Sequence, residues 1–349
     1  MDHNALKKWF LENKRDFPWR KELSPYHVWV SEVMLQQTLA QVVIPYFKRW
    51  MTLFPTIEDL ANADPKTVIK AWEGLGYYSR ARNLQAGAKQ IGEKFNGLLP
   101  DNFNDLKKIK GIGDYTAGAI LSFAFQKKAA AVDGNVMRVI SRICAIDDDI
   151  SQPKTVTLIR EKVEQLLPDK DPWVVMEALI ELGATVCRKK PECEKCPLRS
   201  HCQAYFQGME TELPYKSQKI RYEKLTRTVF VFRCQDALLL KCPQKGVVMQ
   251  DLYEFPFVEN QAKCWSLAQA KNYIQKTWGI QCEHGKKLDR VNHSFTRFRV
   301  NLNPMIFKLD SLPEVAGCQW THIDEIGTLS FSSGHRRILQ QVHGLPQAT

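Results

Sequence analysis

The feature that most restricts what this chain can become is a change of texture near residue 225. Before it the sequence reads as helices punctuated by proline and glycine. Ser24-Pro25 is a cap followed by proline at a first helical position, and it predicts a helix that carries Glu32 and stops near Ile44-Pro45. Further helical segments are broken at Phe54-Pro55, Asp64-Pro65, Gly74/Gly76, Leu99-Pro100, Gly111/Gly113 and Pro153, with no convincing strand among them. After it, LTRTVFVFRC and ALLLKC are β-branched and aromatic runs parted by Gln235-Asp236, a hairpin-like break. Residues 296–309 predict two more strands around Asn303-Pro304, and KCWSLAQAKNYIQKTWG predicts an amphipathic helix. The expected architecture is therefore multidomain: an all-α domain over residues 1–206, a linker over 207–224 and an α+β domain over 225–349. A chain of 349 residues is long enough for two separate cores.

Composition excludes some classes and favours others. With 44% apolar and 25% charged residues the chain is of ordinary globular type. No apolar run of about 18 residues is present, so neither a membrane helix nor a membrane partner is expected. The start, MDHNALKKWFLENKRDF, is charged throughout and has no signal-peptide core, so a cytoplasmic location is expected. A net charge of +11 suits a polyanionic partner, nucleic acid before anionic membrane.

Four of the ten cysteines crowd together as C-x5-C-x2-C-x5-C, at Cys187, Cys193, Cys196 and Cys202. Such a cluster in an intracellular chain points to metal rather than disulfides. Spacing alone leaves a tetrahedral zinc and a [4Fe–4S] cube both open. Arg188, Lys189 and Lys190 fill the first gap, so a metal there would brace a basic loop toward phosphates. A second phosphate-binding candidate is KKIKGIGDYTAGAI. There Lys110, Gly111 and Gly113 precede a helix start at Asp114, and exposed N–H groups at such a start hold phosphate without reading sequence. That is the logic of a helix–hairpin–helix anchor at about residues 107–120.

Two carboxylates stand out. In WVSEVMLQQT, Glu32 lies among Val28, Trp29, Val30, Val33, Met34 and Leu35, surroundings that favour the neutral acid. In AAAVDGNVMRV, Asp133 precedes Gly134-Asn135 and is placed to cap the helix NVMRVISRI, where N–H groups and the helix dipole favour the anion. An acid paired with an anion is the equipment for breaking a glycosidic bond. On a basic, phosphate-gripping domain the natural leaving group is a nucleobase, which must first leave the stack. Gln36, Gln37 and the Tyr77-Tyr78 pair are candidates to fill the gap, core packing being the alternative for the tyrosines.

SEVMLQQT, GLGYYSRARNL, GIGDYTAGAI, VDGNV and the four cysteines, in this order, resemble the adenine DNA glycosylases of the MutY type. These belong to the helix–hairpin–helix glycosylase superfamily together with endonuclease III. The resemblance is specific from about Leu6 to Cys202 and looser over the last 120 residues, which are similar to the family's Nudix-like domain. It implies that Glu32 protonates adenine at N7, that Asp133 stabilises the sugar cation, and that Asn135 and Tyr115 assist around the sugar. It places Arg15, Trp19 and Glu177 in the adenine pocket, Gln37 and Tyr77 in the base stack, and Phe295-Thr296 against 8-oxoguanine. It turns the metal expectation to a [4Fe–4S] cluster on the four cysteines, and it implies double-stranded DNA carrying A·8-oxoguanine or A·G as partner. A monomer is expected, and a sliding clamp or mismatch-repair protein as further partner stays open.

The chain departs from the family pattern in three places. The first cysteine gap holds five residues where six are usual, Lys110-Gly111 replaces Pro-Gly, and Arg297 stands where a histidine usually follows Phe-Ser. Two other readings compete with this one. An endonuclease III-like glycosylase/lyase would carry a lysine where Tyr115 stands, and Lys110 is not at the matching position. A non-catalytic iron–sulfur DNA-binding protein would need neither Glu32 nor Asp133. Nudix hydrolysis by the last domain is not expected, because GVVMQDLYEFP keeps only Glu254 of the carboxylates that would hold Mg²⁺.

Overall fold

The computed structural model describes residues 1–217, 221–244, 246, 249–260 and 264–342. In chain order the helices are α1 (His3–Asn13), α2 (Pro25–Leu35), α3 (Ala40–Leu53), α4 (Ile57–Asn62), α5 (Pro65–Ala71), α6 (Ser79–Lys94), α7 (Phe103–Leu106), α8 (Asp114–Ala119), α9 (Gly134–Ile143), α10 (Pro153–Leu166), α11 (Pro172–Thr185) and α12 (Gln203–Phe206). There follow β1 (Glu223–Cys234), β2 (Ala237–Lys241), β3 (Phe257–Asn260), α13 (Leu267–Trp278), β4 (Gly285–Lys287), β5 (Val291–Phe295), β6 (Phe298–Lys308), β7 (Cys318–His322), α14 (Ile323–Ile326) and α15 (Ser333–Gln341). The chain divides into two compact units, Met1–Ala63 with Ser79–Lys219, and Asp64–Tyr78 with Ile220–Thr349.

The first unit is helical, and its helices start where the sequence says they should. Ser24 caps α2 from its side chain with Pro25 at the first position, and Asp133 caps α9 in the same way. The predicted end at Ile44-Pro45 is corrected. The helix carrying Glu32 stops at Leu35, where Gln37 turns into the left-handed region at φ 58°, and Pro45 lies inside the next helix, α3. Pro45 costs one backbone hydrogen bond, and burial of Val43, Phe47 and Trp50 on the core face of α3 holds the helix through it.

Close approaches are made by small residues. A Cβ on Gly118 would lie 2.0 Å from the Ala130 carbonyl oxygen, so only glycine lets α8 pack against the segment leading to Asp133. A Cβ on Gly183 would lie 2.6 Å from Asn135 Cβ, which brings α11 against the start of α9.

The linker expectation is also revised. Up to Ser217 the segment 207–217 is docked on the helical unit: Leu213 is buried and its carbonyl accepts from Arg142 Nε at 2.9 Å, and Ile150 N–H donates to Tyr215 O at 3.0 Å. Residues 218–220 of the predicted linker lie outside the described residues.

The second unit is built on a mixed sheet in the order β4-β6-β1-β2-β7, with β3 paired to β1 and β5 to β6. β1 and β6 run parallel, and β1–β2 form the hairpin expected at Gln235-Asp236, with Cys234 opposite Ala237. The two strands expected around Asn303-Pro304 are one, β6. The Pro304 carbonyl accepts from Leu288 N–H at 2.9 Å. Its missing N–H therefore faces the side where β6 changes partner, between the Leu302–Val291 and Met305–Lys287 pairs, rather than β1. One core layer holds Val229, Val231, Phe255 and Phe331, and the other Phe230, Phe232, Ile274 and Phe307 beneath α13. Asp64–Tyr78, expected in the helical domain, belongs to this unit. Glu73 is the anchor, accepting from Phe331 N–H at 3.0 Å and pairing with Arg336 at 2.7 Å.

Candidate functional site

Residues Val28 to Met34 of α2 are all buried, so any carboxylate among them is removed from water. Glu32 is 7% exposed. Its carboxylate accepts a hydrogen bond from the Tyr115 hydroxyl, carried on α8. Burial pushes Glu32 up from its ordinary 4.5 to about 7; the Tyr115 hydrogen bond opposes the rise, and nearby Asp133 and Glu177 add to it. Burial likewise raises Tyr115 well above its ordinary range, so it remains a neutral donor. The raised carboxyl of Glu32 is thus a product of desolvation.

Asp133 caps α9 as expected. Its carboxylate accepts from Val136 N–H and from Asn135 Nδ2, each at 2.8 Å. The expectation that capping alone sets its charge is corrected: burial raises Asp133 above the ordinary carboxylate range, against the pull of the Val136 and Asn135 hydrogen bonds and Arg138. Both carboxyls are therefore raised by desolvation. What distinguishes Asp133 is the set of donors that favour its anion; Glu32 has the single hydroxyl of Tyr115.

Glu32, Tyr115, Asp133 and Asn135 line one cleft of about 640 Å³, and Arg15, Trp19, Gln37 and Glu177 line it too. Trp19 stacks on Phe17 at 4.8 Å and meets Phe47 edge-on. Sequence reasoning missed the ion network that fixes this wall. Arg20 pairs with Glu177 and, at 2.8 Å, with Glu181, while Arg15 reaches Glu181 at 2.5 Å. Burial alone would raise Glu181, but Arg15 and Arg20 hold it below the ordinary range. Burial raises Glu177 despite Arg20. The available signal was spacing: Glu177 and Glu181 are one helical turn apart on α11 and share a face.

The remaining candidates fall in several places. Lys110 and Gly111 form the turn before α8; Gly111 has φ 86°, and a Cβ there would meet Asn83 Cβ at 2.7 Å, so glycine is required on both counts. Gly113 is the N-cap of α8. Arg188, Lys189 and Lys190 are exposed, but Arg188 is drawn into an ion pair with Glu192, so Lys189 and Lys190 carry the loop's outward charge. Tyr77 lies in the second unit, 47% exposed with φ 48°, which answers the core-packing alternative for it. Also in that unit, Phe295 and Thr296 form the β5–β6 turn, with Thr296 exposed at φ 47° and Arg297 paired to Glu223 at 3.0 Å.

Cys187, Cys193, Cys196 and Cys202 line one cavity together with Arg142, whose side chain is 2% exposed overall. Arg142 Nη1 lies 3.3 Å from Cys187 Sγ and donates to Arg188 O at 2.7 Å. One turn earlier on α9, Arg138 donates to Cys187 O at 2.7 Å and to Asn135 Oδ1 at 2.8 Å. A single helix face thus ties the cysteine loop to the cap that holds Asp133. Among the described residues, no group of three or more His, Cys, Asp or Glu side chains is arranged to hold a metal ion.

A buried acid and a capped carboxylate on one cleft are the equipment of an enzyme that breaks glycosidic bonds. The family model described as HhH-GPD superfamily base excision DNA repair protein matches residues 30–167, and that of a NUDIX domain matches residues 228–341. The adenine DNA glycosylase of Buchnera aphidicola subsp. Baizongia pistaciae is 31% identical over 306 residues, 87% of this chain and 85% of the relative. The Homo sapiens adenine DNA glycosylase is 43% identical over 210 residues, 57% of this chain and 38% of that longer relative. The solved structure of a thermostable thymine-DNA glycosylase is 27% identical, with a TM-score of 0.52 over 58% of this chain and 94% of its own.

The first unit is a helix–hairpin–helix glycosylase domain and the second is Nudix-like. The chain belongs to the adenine DNA glycosylase family and is a hydrolytic DNA glycosylase of base excision repair. No described helix is long and apolar enough to cross a membrane.

Proposed function

We infer that this enzyme removes adenine paired with 8-oxoguanine, and less readily with guanine, by hydrolysing the N-glycosidic bond of an extruded nucleotide. The observation that carries the reading is the Glu32 carboxyl: buried, raised to about 7 and hydrogen-bonded by Tyr115 on the cleft that also holds Asp133. At neutral pH a large fraction of Glu32 is protonated and positioned to deliver its proton to N7 of adenine, which makes the base a neutral leaving group. Asp133, fixed by Val136 and Asn135, stabilises the positive charge that develops on the sugar. Glu32, now ionised, accepts a proton from the attacking water. Arg15, Trp19 and Glu177 form the wall against the base; Glu181 and Arg20 hold the two charged groups, and Phe17 and Phe47 pack Trp19.

Tyr115 offers no amine, so the strand is left intact at the abasic site. The hairpin with Lys110, Gly111 and Gly113, and the loop with Arg188, Lys189 and Lys190, grip phosphates. Gln37 and Tyr77 enter the stack, and Phe295-Thr296 reads 8-oxoguanine. The chemistry of Cys187, Cys193, Cys196 and Cys202 suits a [4Fe–4S] cluster rather than a single ion: the four thiols line one cavity without closing on a single-ion site, and the buried Arg142 guanidinium beside Cys187 Sγ complements thiolate charge. When bound, the cluster supplies a rigid brace for the basic loop.

The test is a labelled duplex with one A·8-oxoguanine pair, incubated with the enzyme and divided. Breaks that appear only in the half heated in alkali support the reading. Breaks in both halves would point to a lyase and to Lys110; none in either would refute adenine excision and call for oxidised pyrimidines.

A further inference from the structure

The geometry points to Leu39 as an apolar wedge that inserts into the base stack of duplex DNA beside the extruded nucleotide. Among the large hydrophobic side chains described as exposed, Leu39 is the most exposed, at 77%. A lone exposed leucine is ordinary; this one stands on the rim of the Glu32 cleft. It makes no side-chain cap for α3, although it occupies the N-cap position. Val42, a turn further along, is 45% exposed and extends the apolar surface.

The backbone that presents Leu39 is set in advance. Leu35 to Thr38 form a tight turn, with Gln36 at φ −55° and ψ 111°, Gln37 at φ 58°, and Thr38 N–H donating to Leu35 O at 3.1 Å. These are the angles of a type II turn, whose third position normally takes glycine. A glutamine held there stores strain that the surroundings must overcome. Arg80 does so. Its buried guanidinium donates to Val33 O at 2.7 Å, Met34 O at 2.9 Å and Gln36 O at 2.8 Å, and lies 3.4 Å from Thr38 Oγ1. The end of the catalytic helix and the turn after it are thereby one clamped piece, with Gln37 and Leu39 at its outer edge.

Extruding a base leaves a gap, and the unstacked steps on either side offer flat apolar faces that an aliphatic side chain can cover. Gln37 brings an amide suited to the polar edge of the widowed base; Leu39 brings the apolar contact. The proposal rests on the reading that the Glu32 cleft receives an extruded base.

The test compares the wild-type enzyme with Leu39→Ala and Leu39→Phe on two duplexes. One carries 2-aminopurine, which fluoresces when unstacked, in the target position; the other carries adenine opposite 8-oxoguanine. Leu39→Ala is expected to reduce the fluorescence gain and to slow single-turnover excision about tenfold, a modest share of the unstacking energy. Its melting temperature should not change, because the side chain is exposed. Leu39→Phe is expected to retain both signals. Wild-type fluorescence and rate in Leu39→Ala would overturn the wedge, as would Leu39→Phe behaving like Leu39→Ala. Failure of the wild-type enzyme to excise adenine would refute the cleft reading instead, while its 2-aminopurine signal would still report on insertion.

Discussion

Replacing Glu32 by glutamine should make the protein inactive and, above neutral pH, more stable. Burial raises the folded-state carboxyl from its ordinary 4.5 to about 7. Below 4.5 the carboxyl is protonated in both folded and unfolded chains, and Glu32 carries no penalty. Between 4.5 and about 7 the unfolded chain ionises first, so rising pH draws protein toward it. Above about 7 the penalty is complete, and the displacement corresponds to about 3 kcal/mol. Glutamine removes the charge but keeps polar atoms that need partners, so about 3 kcal/mol is an upper bound on the gain. For a unit of this size that is a rise in melting temperature of at most roughly 6–12 °C. The assay is thermal unfolding of the wild-type and Glu32→Gln proteins, both with their metal content verified, at pH 5 and pH 8. The gap should open at pH 8 and shrink to about a quarter of that size at pH 5. Equal melting at pH 8, or an equal gap at both pH values, would refute the assignment of Glu32 as a carboxyl held against ionisation.

Three further outcomes follow from neighbouring contacts. Tyr115→Phe removes the donor that favours ionised Glu32, so the alkaline limb of the excision profile should move upward, by about 1–2 pH units for a hydrogen bond to a charged group worth about 1.5–3 kcal/mol; a limb that stays or moves down contradicts this. Gly118→Ala drives a methyl into the Ala130 carbonyl and should cost about 1–3 kcal/mol in denaturant unfolding while lowering excision by displacing Asp133. Purified protein should contain iron and acid-labile sulfide, and Cys193→Ser should lose them; stoichiometric zinc instead would overturn the cluster.

How much was legible in the sequence depends on how far each residue reaches. Ser24-Pro25, Asp133-Gly134 and the Gln235-Asp236 break act within a few positions, and each was visible as a local pattern. Glu32 was legible because α2 is apolar almost all round, the pattern of a helix buried on every side, so a carboxylate on any face of it is removed from water. Pro45 and Pro304 misled because both were read as breaks, whereas core burial carries α3 through one and the change of partner strand accommodates the other. Arg20 and Glu181 were missed because they meet across 161 positions, and Arg80 because it acts on carbonyls up to 47 positions away, where no local pattern marks the partner. Asp133 was seen in place, but its raised carboxyl depends on burial by distant elements that capping chemistry does not report.

The measurement that tests the central claim most directly is the pH dependence of single-turnover adenine excision from an A·8-oxoguanine duplex by wild-type and Glu32→Gln enzyme. A buried acid that must be protonated predicts a wild-type rate that falls as pH rises through about 7, with the slope of one proton, and a Glu32→Gln enzyme that is inactive across the range. A rate that is flat or rising through neutral pH, or a Glu32→Gln enzyme that excises adenine at near the wild-type rate, would contradict it.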